Sequence, residues 1–327
     1  MLAYLIKRIL WMIPTLIAIS IMSFIIIQLP PGDYLTSLVA SLAEEGSVDQ
    51  STLAGLEKRY GLNQPIYVQY WKWISGIILR GDFGQSFEWR RPVSELIWQR
   101  LGLTFVISLS TMLFIWLVSF PIGIYSAIRK YSVGDYIASF VGFIGLAIPN
   151  FLLALVLMYV SFKYFGQSVG GLFSPEFRNA AWSFAKVRDL IQHLWVPIVV
   201  IGTAGTAGLI RIMRANLLDE LNKPYVLTAR AKGLPETRML LKYPVRLALN
   251  PFVSRVGWEL PELVSGAAIT AIVLSLPTTG PLLLNALISQ DMYLAGSFIL
   301  MLSVLTVIGT LLSDILLAWL DPRIRYR

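Results

Sequence analysis

Six apolar runs alternate with polar segments along the chain: Ile9–Leu29, Leu103–Ile128, Tyr136–Phe165, Leu194–Ile212, Pro251–Leu276 and Leu294–Leu320. About 20 apolar residues in a helix cross the roughly 30 Å hydrocarbon core of a bilayer. The pattern therefore predicts an all-α polytopic membrane protein with six transmembrane helices and both termini on one side. The first run follows Lys7 and Arg8, and Ala40 to Ala43 loosely imitates a cleavage site. The run is longer than the roughly 7 to 15 residues of a signal peptide's apolar region. An uncleaved helix is expected.

Composition agrees: 56% of the 327 residues are hydrophobic and 14% charged, outside the range of ordinary soluble domains. Orientation follows from basic residues close to the spans. Lys7 and Arg8 precede the first span, Arg129 and Lys130 follow the second, and Arg323, Arg325 and Arg327 follow the sixth. The densest cluster, which includes Arg211, Arg214, Lys223, Arg230, Lys232, Arg238, Lys242, Arg246 and Arg255, lies between the fourth and fifth. All four clusters fall on one side, so both termini are expected in the cytoplasm. The net charge of +8 is then that of a positive-inside membrane protein, and no nucleic acid is needed to explain it. The chain has no Cys, which removes disulfides, thiolate metal sites and cysteine nucleophiles.

The expected organisation is an N-terminal helix over 1–29, an external loop subdomain over 30–100, a five-helix core over 101–320 and a cytoplasmic tail over 321–327. In the external loop, Ser51 can cap a short helix through Tyr60. The later segment carries Tyr67, Tyr70, Trp71 and Trp73, which suit an aromatic belt at the membrane interface or a surface receiving a delivered ligand. A second external segment, 166–193, is expected to cover a cavity mouth. The lone His193, beside Trp195, reads as an interfacial residue, and metal binding has no support. In the fifth span Asn250 is a plausible cap before Pro251, and Glu259, Pro261 and Glu262 follow. Carboxylates at this depth are costly in lipid and face a bundle interior or wet cavity, while proline frees a backbone carbonyl and permits a bend. A pathway or gating role stands beside structural pairing with Arg255 or Arg246. Asp314 in the sixth span has the same reading.

The cytoplasmic stretch 213–250 holds the candidate site. A helix over Asn222 to Leu234 places Leu227, Ala231 and Leu234 on one stripe, with Tyr225, Ala229 and Gly233 on an adjoining face. Small residues at 229 and 233 admit the backbone of another protein, and Arg230 and Lys232 reach carboxylates or phosphates. Leu234-Pro235 ends the helix, and a basic segment, Glu236 to Leu249, leads into the fifth span. A rigid lever between two membrane helices is one reading. A basic loop resting on anionic headgroups is the other.

YVLTARAKGLP at 225–235 followed by LLKYPVRLALNP at 240–251 resembles the cytoplasmic EAA-loop signature of permease subunits in the dipeptide/oligopeptide family of bacterial ABC importers. The amino-terminal IKRILWMIPTLIAISIMSFIIIQLPPGD, the loop RYGLNQPIYVQYWKWISGIILRGDFGQSF and the carboxyl-terminal LLAWLDPRIRY look like the same family's landmarks in the same order. The resemblance implies a type I importer permease fold in the bacterial cytoplasmic (inner) membrane. It also implies a second, homologous permease subunit completing a heterodimer, two cytoplasmic ABC ATPase subunits and an extracytoplasmic solute-binding protein. By position Thr228, Ala229 and Gly233 match the motif's small-residue and glycine sites, and Ala231 and Lys232 lie within the docking helix. Tyr225, Arg230 and Leu234 complete the implied coupling surface. Where the broader signature has glutamate this chain has Leu227, so the polar contact moves to Arg230 or Lys232. A second departure is Leu276-Pro-Thr-Thr-Gly-Pro281, which adds two hydroxyls at the external end of the fifth span.

The chain lacks a GxxxxGK[ST] phosphate loop, so no ATPase is expected in it, nor any cofactor; ATP and Mg belong to the implied partner subunits. Peptide and oligosaccharide-like solutes are equally compatible with these residues, with nickel or a conjugate as further solutes of the family. An ion-coupled secondary transporter is the rival from another class. An intramembrane enzyme lacks a reactive constellation, since HExxH is absent and the single histidine leaves no paired histidines.

Overall fold

The computed structural model describes residues 2–28, 64–86, 88–167, 170–254 and 268–320. Among them the regular structure is helical: α1 Leu2–Gln28, α2 Ile66–Arg80, α3 Val93–Ile128, α4 Val133–Ala147, α5 Asn150–Phe165, α6 Phe184–Leu221, α7 Pro224–Ala231, α8 Glu236–Lys242, α9 Pro244–Ala248, α10 Ala268–Val273, α11 Thr279–Ile288 and α12 Met292–Leu320. Four of these, α1, α3, α6 and α12, are long and apolar enough to cross a membrane. They match the first, second, fourth and sixth apolar runs. Most of the fifth run, with Glu259, Pro261 and Glu262, lies outside the described residues, as do Arg255, the Ser51–Tyr60 segment and the tail from residue 321.

The third run is not one straight helix. It divides into α4 and α5, bent by 99° at their junction. Pro149 is the cause, because its ring crowds the preceding residue out of the α region. Ile148 accordingly takes φ −78, ψ 121, and α5 restarts after Pro149. At 15 and 16 residues the two arms are roughly 22 and 24 Å long, each short of a 30 Å core. The pair counts as one broken span or as a re-entrant loop.

The chain forms two compact units. One comprises residues 103–281 with the two chain ends, and α6 is its axis. At 38 residues, about 57 Å, α6 extends well beyond the apolar run Leu194–Ile212 in both directions. Ser183 caps its start by accepting a hydrogen bond from the Lys186 amide. A run of small residues, Gly202 to Gly208, lets α3 come close: a Cβ at Gly202 would lie 2.7 Å from the Phe114 ring, and one at Gly205 2.8 Å from Ile115. Without a hydrophobic force between helices in lipid, such close backbone approach supplies the packing.

At the end of this unit where α6 begins, Leu172 and Phe173 are buried with Leu190, Leu194 and Leu274, so the segment over 170–183 is packed against the helices. Asp189 accepts hydrogen bonds from the Ser174 amide at 2.8 Å and its hydroxyl at 2.7 Å. Lys186, itself buried, donates to the Ala180 carbonyl at 2.6 Å and lies over the Phe173 and Trp182 rings. His193 is inside α6 and buried, with Nδ1 2.8 Å from the Asp189 carbonyl oxygen. α6 begins ten residues before the apolar run and packs His193 among its protein neighbours. Thr279 is also buried, and its amide donates to the Thr104 hydroxyl at 3.0 Å. The Thr279 hydroxyl also donates to that of Thr104, at 3.2 Å.

The other unit, 6–102 with 282–307, joins α1 to α2. Ser20 and Tyr70 share a hydrogen bond of 2.8 Å, and Phe24 packs against Tyr70 and Trp73 with ring centroids 5.5 and 5.6 Å apart. Helical geometry thus splits the four aromatics expected to act together: Tyr70 and Trp73 turn inward, whereas Tyr67 and Trp71 are exposed.

Candidate coupling segment and basic groove

The stretch expected to face the cytoplasm folds as three short helices, α7, α8 and α9. Pro224 opens α7, where its missing N–H costs nothing, and the helix ends at Ala231, shorter than the expected Asn222–Leu234. Gly233 ends it by taking φ +72, a left-handed conformation that side chains disfavour. A Cβ there would meet nothing within 4 Å, so within this chain it is the backbone conformation that favours glycine.

Val226 and Ala229 face inward and are buried with Met239 and Leu240 of α8, with Tyr225, Leu234 and Tyr243 at the edge. Ala229 therefore braces the chain itself, and the face open to another protein consists of Leu227, Thr228 and Ala231. Leu227 is 58% exposed. The hydroxyl of Thr228 turns back to the Pro224 carbonyl at 3.0 Å, and Tyr225 donates its hydroxyl to Glu220 at the end of α6. Arg230 is bridged to Glu236 at 2.7 Å, and that carboxylate raises the guanidinium's pKa further above its ordinary value. Lys232, one residue on, is exposed.

Below this, Val245, Ala248 and Phe252 are buried against Leu209, Met213 and Leu217 of α6, and Phe120 of α3 meets Phe252 edge-on at 4.9 Å. The small helices are thus tied to two long ones. Asn250 does not cap the following helix: the Phe252 and Val253 amides donate to the Leu249 carbonyl, and Asn250 Oδ1 finds no hydrogen-bond partner among the described residues. Asp314 lies half-buried in α12, next to Ser313, whose hydroxyl donates to the Val253 carbonyl at 2.7 Å.

Two polar constellations escaped the sequence reading. In the first, Asp135 of α4 is buried and receives Arg214 of α6 bidentately, Nε at 2.9 Å and Nη2 at 2.8 Å, together with the Tyr131 amide at 2.9 Å. Ser132 caps α4 through the Asp135 amide. This pair stands on the wall of a groove of about 790 Å³ between α4 and α6. In the second, fully buried Asp291 accepts from the Ser86 hydroxyl, the Glu88 amide and the Leu294 amide, the last at the start of α12. Both aspartates follow or precede helix starts, Ser132 and α12 respectively, and that capping context was the available signal.

Comparison with known proteins decides the lineage. The family model for the binding-protein-dependent transport system inner membrane component matches residues 119–326, and that for the N-terminal region of such membrane components matches residues 1–110. The chain belongs to this family. It is 39% identical over the full length of both chains to the oligopeptide transport system permease protein AppB of Bacillus subtilis. Over the same full coverage it is 31% identical to the dipeptide transport system permease protein DppB of Alkalihalophilus pseudofirmus and 32% to the glutathione transport system permease protein GsiC of Salmonella typhimurium. The chain is a transmembrane permease subunit of a binding-protein-dependent ABC importer, an all-α multi-pass protein of the bacterial inner membrane. Such a permease component works with an ATPase and a substrate-binding protein, and is not itself the ATPase.

Proposed function

We propose that this permease carries short peptides inward, in a heterodimer with a second, homologous permease, and that α7 is the coupling helix seated in the cleft of one of two ABC ATPase subunits. The names of the similar proteins, oligopeptide, dipeptide and glutathione transport permeases, favour peptide over an oligosaccharide-like solute. Six crossings with both termini in the cytoplasm put 213–250 on the ATPase side and 30–100 toward the binding protein. The chain binds no cofactor and catalyses no reaction of its own; ATP and Mg act in the partners.

The carrying observation is the build of α7: an exposed Leu227 and Ala231 on a helix braced from behind by Val226, Ala229, Met239 and Leu240. A helix that must transmit force needs a docking face and a stiff backing, and the exposed and braced sides of α7 support that reading. Lys232 supplies the polar contact, since Arg230 already holds Glu236. Closure of the ATPase pair on ATP draws the coupling helices together, and α8 and α9 pass the displacement to α6 and the fifth span. The two arrangements need differ by only a few kcal/mol for nucleotide to bias them. Glu259, Pro261, Glu262 and Asp314 are assigned to the pathway or its gate.

Leu227→Glu combined with Ala231→Trp tests this reading, because neither side chain is buried in the chain's own packing. Membrane insertion should persist while the ATPase no longer co-purifies and ATP-dependent uptake stops. Co-purification and uptake at the unaltered level would refute the docking face.

A further inference from the structure

The groove between α4 and α6 has unequal charges on its walls. Arg214 is neutralised by Asp135. Arg211, one turn earlier on α6, is exposed and has no carboxylate partner among the described residues; its guanidinium lies 5.4 Å over the Phe143 ring of α4. Near the same rim, Lys130 lies 4.6 Å over the ring of Tyr131. The groove therefore keeps a net positive charge beside aromatic walls, over a floor of small residues including Gly142 and Ala207. Its volume, about 790 Å³, falls within the roughly 300 to 1,000 Å³ of small-ligand sites. An arginine held by a cation–π contact presents a planar fork of donors that matches a carboxylate, at less ordering cost than a free lysine.

We infer that Arg211, held over Phe143, receives the terminal carboxylate of a short peptide as it passes along the groove between α4 and α6. This rests on the peptide-importer reading above. The groove matches such a ligand in kind: one anionic end for Arg211, and an apolar and aromatic wall for side chains. A cation–π contact at 5.4 Å engages no N–H hydrogen bond, so the guanidinium donors stay open to an oxyanion.

The complete importer, reconstituted in proteoliposomes with its binding protein and ATPases, provides the test. Uptake of trialanine and of trialanine amide is compared for the unaltered chain, Arg211→Gln and Arg211→Lys. The ratio of free acid to amide should fall about tenfold in Arg211→Gln and by a smaller factor in Arg211→Lys, which keeps the charge and loses the planar fork. An unchanged ratio in Arg211→Gln overturns the inference while leaving the importer intact. No ATP-dependent uptake of either peptide by the unaltered importer overturns the peptide reading and this inference with it. Repeating the comparison in phosphatidylcholine vesicles with and without phosphatidylglycerol separates the remaining source of anion. An equal loss for both peptides, seen only with phosphatidylglycerol, assigns Arg211 to a lipid headgroup and overturns the proposal.

Discussion

Replacing Asp135 with alanine should destabilise the permease by about 3 kcal/mol. Asp135 is 2% exposed and accepts three hydrogen bonds, two from the Arg214 fork and one from the Tyr131 amide. Removing one partner of a buried ion pair costs about 3 to 5 kcal/mol, chiefly because the other charge is left unpaired. The Arg214 side chain is 27% exposed, so water recovers part of that loss, which places the expectation at the lower end. Arg214→Met should cost less, since a methionine occupies much of the same space without a charge. In the double variant the stranded guanidinium is gone, so a coupling of about 2 kcal/mol is expected between the two positions. Unfolding by SDS in mixed micelles, followed by tryptophan fluorescence, gives all four free energies. A loss under about 0.5 kcal/mol for Asp135→Ala, or additivity of the two substitutions within about that margin, would refute the assignment of the α4–α6 junction to this pair.

Gly233→Ala should cost about 1 to 2 kcal/mol through its left-handed φ of +72, with Gly233→Asn costing less because asparagine visits that region more readily. Hydrogen exchange over 224–242 measures both, and equal effects would show that the conformation is not what demands glycine. Asp291→Ala removes the acceptor of the Ser86, Glu88 and Leu294 bonds, for an expected loss of about 3 kcal/mol. Amides over 83–94 should lose exchange protection, and unaltered protection would rule out Asp291 as the anchor of that segment.

Much of the fold is legible in hydropathy. The runs containing α1, α3, α6 and α12 needed only length and apolar content, because a bilayer demands both. Pro149 was in plain view within the third run, yet a hydropathy window averages over a single residue, and the 99° bend comes from one steric clash. The candidate site was legible in part. Pro224, Gly233 and Pro235 mark the ends of α7 and its following turn by local backbone rules. Which face of α7 turns outward was not legible: Ala229 and Ala231 are both small, and only packing against Met239 and Leu240 assigns one inward and the other outward.

The sequence by itself therefore determined the helical class, the membrane environment, four long apolar helices and the position of α7. Those follow from chain-local quantities: apolar length, proline and glycine geometry, and charge near the spans. Tertiary structure alone decided that Arg230 holds Glu236, that Asp135 cancels Arg214 while Arg211 stays charged in the groove, and that Asp291 gathers three donors. Asp135 and Arg214 are 79 residues apart, and Asp291 and Ser86 are 205 apart. Such partners are chosen by which helices pack together, and no local pattern of polarity records that choice.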